Sequence, residues 1–270
     1  MGDPTLGPLG HATRYPDRYD PALLFPVSRA PQREAIGLGP GAALPFTGAD
    51  VWTAYEHTWL DGRGLPRIAM LSIVVPVDSP FIVESKSVKL YLGSFAQTRF
   101  DDEASVLATI GRDLSTAAGA LVEVSVLRDA RIAPLAGLSI DDAEVVIDRY
   151  QVDPAPLRAE GERVDETLRT DLFRSVCPVT GQPDYASIAL SYRGPRIDRA
   201  ALLRYLVSYR LHAGFHEHCA ERIFVDVVAR CGCEQLTVHA RFTRRGGLDI
   251  NPFRTNADET VPPNVRTDRQ

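Results

Sequence analysis

The chain has 270 residues, 44% of them hydrophobic and 24% charged, and a formal net charge of −5 from 30 basic and 35 acidic side chains. This balance is typical of a folded globular protein and excludes a disordered chain, a collagen and a coiled coil. The acidic balance also argues against a general binder of nucleic acids or membrane surfaces, so we expect a small-molecule partner.

The N-terminal sequence and the cysteines indicate the compartment. Residues 1–4 (Met-Gly-Asp-Pro) lack the basic start and the apolar stretch of a signal peptide, and no apolar run reaches the roughly 20 residues of a membrane-spanning helix. We therefore expect a cytoplasmic protein. There, four cysteines do not make a disulfide framework, so thiol chemistry and metal binding stay open for Cys177, Cys219, Cys231 and Cys233.

The first half is predicted to contain an irregular arm, strands and two helices. Eight prolines fall within residues 1–50, which we expect to form an irregular N-terminal arm that wraps the body. Beyond the arm, apolar runs and alternation predict strands, and apolar spacing of three and four residues predicts helices. The predicted elements are strands over 67–76 and 120–127, helices over 87–98 and 103–118, and a further candidate strand over 143–150.

The second half repeats this order. Asp198 is a predicted N-cap for a helix that runs to about Leu211, and a second helix runs from His216 to a stop at Gly232. Strands are predicted before and after these helices, over 187–192 and 235–243.

Two copies of a strand, helix, helix, strand module explain the repeated order. Shifting the sequence by 114 positions aligns Ser94 with Ser208 and Glu103 with Glu217. Segregated strands with paired helices indicate an α+β fold with antiparallel sheets, and the lack of a Gly-rich dinucleotide fingerprint argues against a Rossmann domain. The predicted organisation is an arm over 1–50, a first module over 51–152, a linker over 153–170 and a second module over 171–270.

The first half carries the only two lysines of the chain. Lys86 and Lys89 lie in one segment with Glu84, whereas the other 28 basic residues are arginines. A compact ammonium group binds differently from a planar guanidinium, so the pair indicates a specific role, although two surface lysines can also cluster by chance. The second half lacks equivalent lysines but holds every cysteine. A single site where the halves meet would use both parts.

Cys177 and Asp184 are the candidates for covalent chemistry. They flank a segment rich in turn-forming residues, which we expect to form a stiff loop at the mouth of the second module. A thiol on such a loop can act as a nucleophile when a cation or a helix N-terminus lowers its pKa, and a neighbouring carboxyl group can transfer a proton. The alternative is that Cys177 is a small buried hydrophobe and Asp184 a turn former.

Glu84, His216 and Glu217 are the candidates for ligand binding. A carboxylate that accepts paired N–H donors can hold a guanine-like edge. Alternatively, an acidic residue or a histidine at a helix start serves only the helix.

Metal binding is the competing chemistry in the same region. A zinc site could in principle use His212, His216, His218, Cys219, Cys231 and Cys233. The spacing is weak support, because Cys231-Gly-Cys233 is not the usual Cys-x-x-Cys arrangement.

Four segments together resemble one enzyme family. They are Glu84-Ser-Lys-Ser-Val-Lys-Leu-Tyr91, Cys177-Pro-Val-Thr-Gly-Gln-Pro-Asp184, Phe215-His-Glu-His-Cys-Ala-Glu-Arg222 and Arg244-Arg-Gly-Gly-Leu-Asp-Ile-Asn-Pro252. From about residue 45 onward the chain resembles the NADPH-dependent 7-cyano-7-deazaguanine reductases of queuosine biosynthesis, in their long two-module form.

The resemblance implies a fold, an activity and a set of site residues. The fold would be a tandem of tunnelling-fold (T-fold) modules, the enzyme a homodimer, and the reaction the reduction of a nitrile to a primary amine with two NADPH. Cys177 would add to the nitrile carbon of 7-cyano-7-deazaguanine as a thiolate and form a covalent thioimide, with Asp184 as proton donor. The base would be held by Val83, Glu84, Ser85, His216 and Glu217, and NADPH by Ser85, Lys86, Arg245 and Gly246.

Two other functions stay open. One is a zinc-dependent purine or pterin cyclohydrolase on the same fold, which would use the histidine and cysteine cluster. The other is a non-catalytic module that binds a purine-like ligand or serves as a scaffold, in which Cys177 would be unreactive.

Overall fold

The computed structural model describes residues 15–128 and 131–270, which form ten strands and five α-helices. The strands are β1 (Pro26–Ser28), β2 (Thr47–Leu60), β3 (Pro66–Pro76), β4 (Phe81–Val83), β5 (Glu123–Val126), β6 (Leu138–Ser139), β7 (Ala159–Val176), β8 (Pro183–Ile197), β9 (Gln235–Phe242) and β10 (Leu248–Thr255). The helices are α1 (Ala30–Glu34), α2 (Ser85–Gly93), α3 (Glu103–Ala118), α4 (Arg199–Ser208) and α5 (His216–Cys231). Short 3₁₀ turns lie at Pro21–Leu23, Ser94–Gln97 and Tyr209–Leu211.

Eight of these strands form one sheet in the order β5-β3-β2-β10-β9-β8-β7-β6. Neighbouring strands are antiparallel except β6 and β7, which are parallel. The two halves of the chain meet where β2 pairs with β10, from Ala54 opposite Leu248 to Thr47 opposite Thr255. The sheet therefore continues from one half into the other, and a site near this seam can use residues of both.

Both helix pairs lie on the same face of the sheet. Along β10, Leu248, Ile250 and Arg254 share one face because side chains alternate along a strand. Leu248 and Ile250 pack into the apolar core that holds the buried side chains of α2 and α3. Arg254 hydrogen-bonds to Glu221 on α5. The two cores, one beneath each helix pair, are therefore neighbours on one side of the sheet.

The structure repeats its element order at nearly the predicted shift. The first helices of the two pairs, α2 and α4, begin 114 residues apart, at Ser85 and Arg199. Their N-caps, Glu84 and Asp198, occupy the equivalent positions. Two long antiparallel strands precede each helix pair. Each repeat therefore starts with two strands, where the sequence pattern indicated one.

Local patterns located most elements correctly. The predicted helix over 103–118 coincides with α3, and α5 ends as predicted at Gly232, whose φ of +64° is the left-handed conformation that glycine adopts freely. The predicted helix over 87–98 is split, because the chain tightens from α2 into a 3₁₀ turn. The predicted strands over 67–76, 120–127, 187–192 and 235–243 correspond to β3, β5, β8 and β9.

Two sequence predictions in the middle of the chain differ from the structure. Residues 143–150 are not a strand: Ala143 and Val145 pack against the core of the second half without backbone pairing, so their alternation reflects packing alone. Most of the predicted linker over 153–170 belongs to β7, whose first residues lie on an exposed end of the sheet and therefore carry many charges. The strands β2 and β10 were not predicted.

The predicted N-terminal arm is only partly described. Residues 1–14 lie outside the described residues, and β2 already begins at Thr47, within the range assigned to the arm. Between them the chain is mostly irregular, and β1 fastens it to the body by pairing with β4. No helix in the described part of the chain is long and apolar enough to cross a membrane.

Candidate active site

A pocket at the seam between the two halves is the candidate active site. It lies between the β4–α2 connection, the β7–β8 turn, the start of α5 and the loop that joins β9 to β10. We call it the junction pocket. The residues that line it are Ile82, Val83, Ser85, Cys177, Pro178, Asp184, Gly214, Phe215, His216, Glu217, Arg245 and Ile250. Its cavity volume is about 30 Å³.

The structure brings most of the predicted site residues to this pocket. Those on its wall are Val83, Ser85, Cys177, Asp184, His216, Glu217 and Arg245. The other three, Glu84, Lys86 and Gly246, are each the chain neighbour of a lining residue.

Cys177 lies in the tight turn between β7 and β8. Its backbone N–H donates to the carbonyl oxygen of Gln182 at 2.8 Å, and the N–H of Gly181 donates to the carbonyl oxygen of Cys177 at 3.0 Å. Gly181 has a φ of +67°, which favours glycine. The predicted loop is therefore confirmed for Cys177, whereas Asp184 already belongs to β8.

The surroundings of Cys177 favour the thiolate. Burial opposes the charged form, but hydrogen bonds to the sulfur outweigh it and place the pKa of Cys177 below its ordinary value. The donors are the hydroxyl and the backbone N–H of Thr180, the backbone N–H of Val179 and the guanidinium of Arg245. Converging backbone N–H groups of this kind make a site for an anion.

Asp184 is buried beside this thiol and has two partners. Arg245 Nε lies 2.7 Å from one carboxylate oxygen, and His216 Nε2 lies 3.3 Å from the other. Arg245 also donates through Nη1 to Gln182 Oε1 at 2.6 Å. Its side chain is 28% exposed, compared with 3% for Asp184. Arg245 is therefore the more exposed partner of this ion pair.

His216 is held flat against Phe242. The two ring centroids are 3.8 Å apart and the planes differ by 3°. His216 Nε2 faces Asp184, whereas Nδ1 is buried without a hydrogen-bond partner among the described residues. A buried ring nitrogen without a partner is unfavourable, so Nδ1 is suited to bind a polar group of a ligand.

Glu217 lies in the first turn of α5 and is 3% exposed. Burial and the negative charge of Asp50 raise the pKa of Glu217 to about 7, while Arg29 and Arg254 counteract the shift. The carboxyl group therefore has both protonation states available near neutral pH.

Glu84 has a structural role in this conformation. Its two carboxylate oxygens accept hydrogen bonds from the backbone N–H groups of Lys86 at 2.7 Å and Ser87 at 2.8 Å, which caps α2. Burial raises the pKa of Glu84, although these hydrogen bonds and Lys89 oppose the shift. Glu84 therefore caps α2, and its predicted contact with a ligand stays a prediction.

A second cleft adjoins the junction pocket along the β9–β10 loop. It has a volume of about 290 Å³ and is lined by Gly246 and Gly247, by Lys89 on α2 and by residues of β2 that include His57. Both glycines have positive φ, +60° and +77°. We call this space the glycine cleft. Only Gly246 of this group was predicted as a site residue.

Lys89 links the cleft to the pocket electrostatically. Burial and the neighbouring Arg245 lower the pKa of Lys89, whereas Glu84, Asp184 and Cys177 raise it. The ammonium group therefore lies within electrostatic range of the candidate nucleophile. The sequence flagged Lys89 through the rarity of lysine but assigned it no role.

His57 has no sequence signal, because it lies within an apolar strand. It is 2% exposed, both of its ring nitrogens lack hydrogen-bond partners among the described residues, and burial lowers its pKa to about 4. A neutral imidazole of this kind can bind a polar group of a ligand in the cleft.

The other three cysteines are buried and their thiols are not activated. Burial raises the pKa of Cys219 and Cys231 to about 12 and that of Cys233 to about 11. Within residues 15–128 and 131–270, no three His, Cys, Asp or Glu side chains are grouped so as to hold a metal ion.

Comparison with known proteins gives consistent matches over both halves. The family described as "Nitrile reductase, 7-cyano-7-deazaguanine-reductase N-term" matches residues 15–126, and the family described as "QueF-like protein" matches residues 183–261. A protein of Bordetella pertussis named NADPH-dependent 7-cyano-7-deazaguanine reductase is 54% identical over 97% of this chain and 98% of its own. A protein of Burkholderia vietnamiensis with the same name is 51% identical over 99% of this chain and 100% of its own.

Among solved structures, the apo form of the archaeosine synthase QueF-Like is similar to part of the chain. It is 18% identical, with a TM-score of 0.31 over 36% of this chain and 94% of that one.

Proposed function

The chain belongs to the family of NADPH-dependent 7-cyano-7-deazaguanine reductases, and we propose from this premise that it reduces the nitrile of 7-cyano-7-deazaguanine through a covalent thioimide on Cys177. It is an oxidoreductase that acts on a nitrile with NADPH as cofactor. The product would be 7-aminomethyl-7-deazaguanine, for queuosine biosynthesis. The observation that carries the mechanism is the lowered pKa of Cys177, on the pocket wall beside Asp184.

Covalent attachment makes the nitrile reducible. The Cys177 thiolate adds to the nitrile carbon and forms a C–S bond, and the nitrogen takes a proton, which we assign to Asp184. The resulting C=N group accepts hydride more readily than a free nitrile does, because the hard step is divided into easier ones. The buried pocket also keeps intermediates from water.

The reaction balances with two hydrides and two protons. NADPH, when bound, supplies hydride to the substrate carbon. After the first transfer, the carbon–sulfur bond breaks, Cys177 leaves as a thiolate and an imine remains. A second hydride and proton give the amine, so that one nitrile, two NADPH and two protons yield one amine and two NADP⁺.

Asp184 has to carry a proton before it can donate one. One of its carboxylate oxygens is held by Arg245 Nε at 2.7 Å, so a ligand that displaces the partly exposed Arg245 would free this oxygen to face the nitrile nitrogen. His216, bound to the other carboxylate oxygen, would hold Asp184 in place meanwhile.

The deazaguanine base would lie against Glu217 and His216. A carboxylate on the pocket wall can accept the paired N–H donors of a guanine-like edge, and His216 Nδ1 needs a partner. Val83 and Ser85 also line this pocket. Glu84 lies between these two residues in the chain. Its carboxylate would bind the base only by giving up part of the hydrogen bonding with which it caps α2.

NADPH would bind where the junction pocket opens into the glycine cleft. Ser85 and Arg245 line the pocket, Gly246 lines the cleft, and Lys86 follows Ser85 in the chain. Nothing lies within 4 Å of a Cβ built on Gly247, so a cofactor can approach the backbone there. The ammonium groups of Lys86 and Lys89 suit the phosphates of such a cofactor.

The remaining parts of the proposal concern the whole protein. We propose a tandem of T-fold modules over 51–152 and 171–270, joined by a segment over 153–170 that runs into β7. We also propose an arm over 1–50 that runs into β2, a homodimer and a cytoplasmic location. The continuous, mostly antiparallel sheet with one helix pair per half supports the tandem arrangement.

Intact-protein mass spectrometry tests the covalent step. Wild-type protein incubated with 7-cyano-7-deazaguanine and no NADPH should gain the mass of one nitrile, and Cys177→Ala should gain none. Adding NADPH should clear the adduct and oxidise NADPH in a nitrile-dependent way.

Cys219→Ala is the matched control, since Cys219 is also buried but its pKa is raised. An adduct that persists in Cys177→Ala would contradict the assignment of the nucleophile. If neither adduct nor nitrile-dependent NADPH oxidation is seen, the proposal fails, and metal analysis would test the cyclohydrolase alternative.

A further inference from the structure

A cluster of buried charged side chains lies behind the junction pocket. Its members are Arg29 and Arg33 from the N-terminal segment, Asp50 on β2, Glu221 on α5 and Arg254 on β10, and we call it the arginine cluster. All five side chains are at most 11% exposed. It joins the N-terminal segment to both halves of the sheet.

Short contacts hold the cluster together. Asp50 lies 2.6 Å from Arg29 Nη2 and 2.7 Å from Arg254 Nη2 through its two oxygens. Glu221 Oε1 lies 3.1 Å from Arg254 Nη2 and 2.9 Å from Arg33 Nη2. Burial opposes the charge on Asp50, but Arg254 and Arg29 outweigh it and keep the pKa of Asp50 below its ordinary value.

The cluster carries an excess of positive charge. Within the part of the chain that the structure describes, three guanidinium groups contact two carboxylates, so these contacts alone leave one positive charge without a carboxylate partner. Unbalanced buried charge is unfavourable unless another group compensates it. Glu217 is four residues before Glu221 on α5, so both carboxyl groups lie on the same face of the helix.

The charged groups around Glu217 shift its pKa in opposite directions. After burial, Asp50 is the main cause that raises the pKa of Glu217, and Arg29 and Arg254 lower it. On the pocket side, Asp184, His216 and Arg245 line the same wall. Burial is thus the main cause that raises the pKa of Glu217, and the charged groups behind the pocket modulate it, Asp50 upward and Arg29 and Arg254 downward.

We infer that the arginine cluster is a positioning device that sets the charge of Glu217, so that Arg29, on a segment outside the pocket, controls how substrate binding depends on pH. The inference rests on the proposed role of Glu217 as acceptor for the base. Because the ionised carboxyl group accepts the N–H donors, affinity rises as the pH increases through the titration of Glu217, near pH 7.

Charge changes in the cluster test this inference. The dissociation constant of 7-cyano-7-deazaguanine is measured by calorimetry from pH 5.5 to 8.5, in a Cys177→Ala background that prevents the adduct. Arg29→Met removes a positive charge and should move the rise in affinity to higher pH. Asp50→Asn removes a negative charge and should move it to lower pH. Each shift of about one pH unit changes the affinity on the acidic side about tenfold.

The double variant Arg29→Met/Asp50→Asn separates electrostatics from folding. It removes the pair together and should return the pH profile close to that of the parent, even if it folds less stably. Arg128→Met, which breaks an exposed ion pair with Glu103, is the matched control and should leave the profile unchanged.

Equal loss of affinity at every pH in both single variants would show a merely structural role and overturn the inference. The inference would also be overturned if the double variant kept the shift to higher pH that is expected of Arg29→Met alone. If the parent protein binds no nitrile, or if Glu217→Gln removes neither affinity nor pH dependence, the proposed role of Glu217 fails instead.

Discussion

Hydrogen bonds to one sulfur atom distinguish Cys177 from the other cysteines. All four thiols are buried, and burial alone raises the pKa of a thiol. Only at Cys177 do turn N–H groups, a hydroxyl and a guanidinium reverse this effect. At the residue scale, reactivity therefore comes from the short turn that follows β7.

Thr180→Val should raise the pKa of Cys177, because the Thr180 hydroxyl is the leading donor to the sulfur. Since the thiolate is the reactive form, the pH profile of alkylation by iodoacetamide should move to higher pH, with slower labelling at neutral pH. Labelling is followed by mass spectrometry.

Thr180→Ser keeps the hydroxyl and should react as wild type does. An unchanged profile in Thr180→Val would mean that the backbone donors and Arg245 suffice. Cys177→Ala identifies any labelling of the other thiols, which should be slow because their pKa values are raised.

Helix ends are the element-scale features that place the site. α2 starts beside Ser85 and α5 starts at His216, so both present their first turns to the junction pocket. Free N–H groups and the helix dipole at such ends favour negative charge. Glu84 and Asp198 occupy equivalent capping positions, but only the first lies beside the pocket, so the two halves differ in function at the same structural position.

Asp198→Ala should destabilise the protein by about 1 kcal/mol, because the carboxylate accepts from Ala201 N at 3.0 Å as the N-cap of α4. Hydrogen bonds from the backbone, led by Ala201, lower the pKa of Asp198, and Arg158 contributes. A lowered pKa means that the stabilisation is present above about pH 4, the unfolded value, and is lost as the pH falls through the folded value.

Urea denaturation at several pH values measures this effect. The gap between wild type and Asp198→Ala should narrow below about pH 4. Asp198→Asn keeps an acceptor oxygen and should show a smaller loss at neutral pH. A gap that stays constant with pH would contradict a capping role for the carboxylate.

The seam between β2 and β10 decides the arrangement of the whole molecule. It joins residues about 200 positions apart into one sheet and brings the β4–α2 segment of the first half to the Cys177 turn of the second. The arginine cluster crosses the same seam through Asp50 and Arg254. The junction pocket therefore depends on correct docking of the two halves.

Gly48→Ala should weaken this docking, because Gly48 has a φ of +128° and a Cβ there would overlap the carbonyl oxygen of Phe253. We expect a loss of more than about 2 kcal/mol in the free energy of unfolding. Gly62→Ala, where nothing lies within 4 Å, is the control and should be nearly neutral. Equal stabilities of the two variants in urea would contradict this view of the seam.

Sedimentation equilibrium should show a particle of twice the 29.6-kDa chain mass if the proposed homodimer forms. A monomer at micromolar concentrations would contradict the proposal.

The sequence by itself determined the features that depend on neighbouring residues. Apolar spacing located α3 to the residue, Gly232 marked the end of α5, and the shift of 114 positions indicated the repeated helix pairs. The four motif segments likewise pointed to the family that the comparisons show. Such signals are readable because a helix period, a cap or a turn is written within a few consecutive positions.

The tertiary structure alone decided which distant groups meet. Glu84 could have been a ligand group or a cap, and only the folded β4–α2 segment shows its carboxylate on two backbone N–H groups. The pairing of Arg245 with Asp184 and the burial of His57 likewise arise across long separations in sequence. Charged β7 resembled a linker because its exposed end carries no apolar pattern. Contacts of this kind depend on how distant strands pair in the sheet. No pattern of neighbouring residues encodes that pairing.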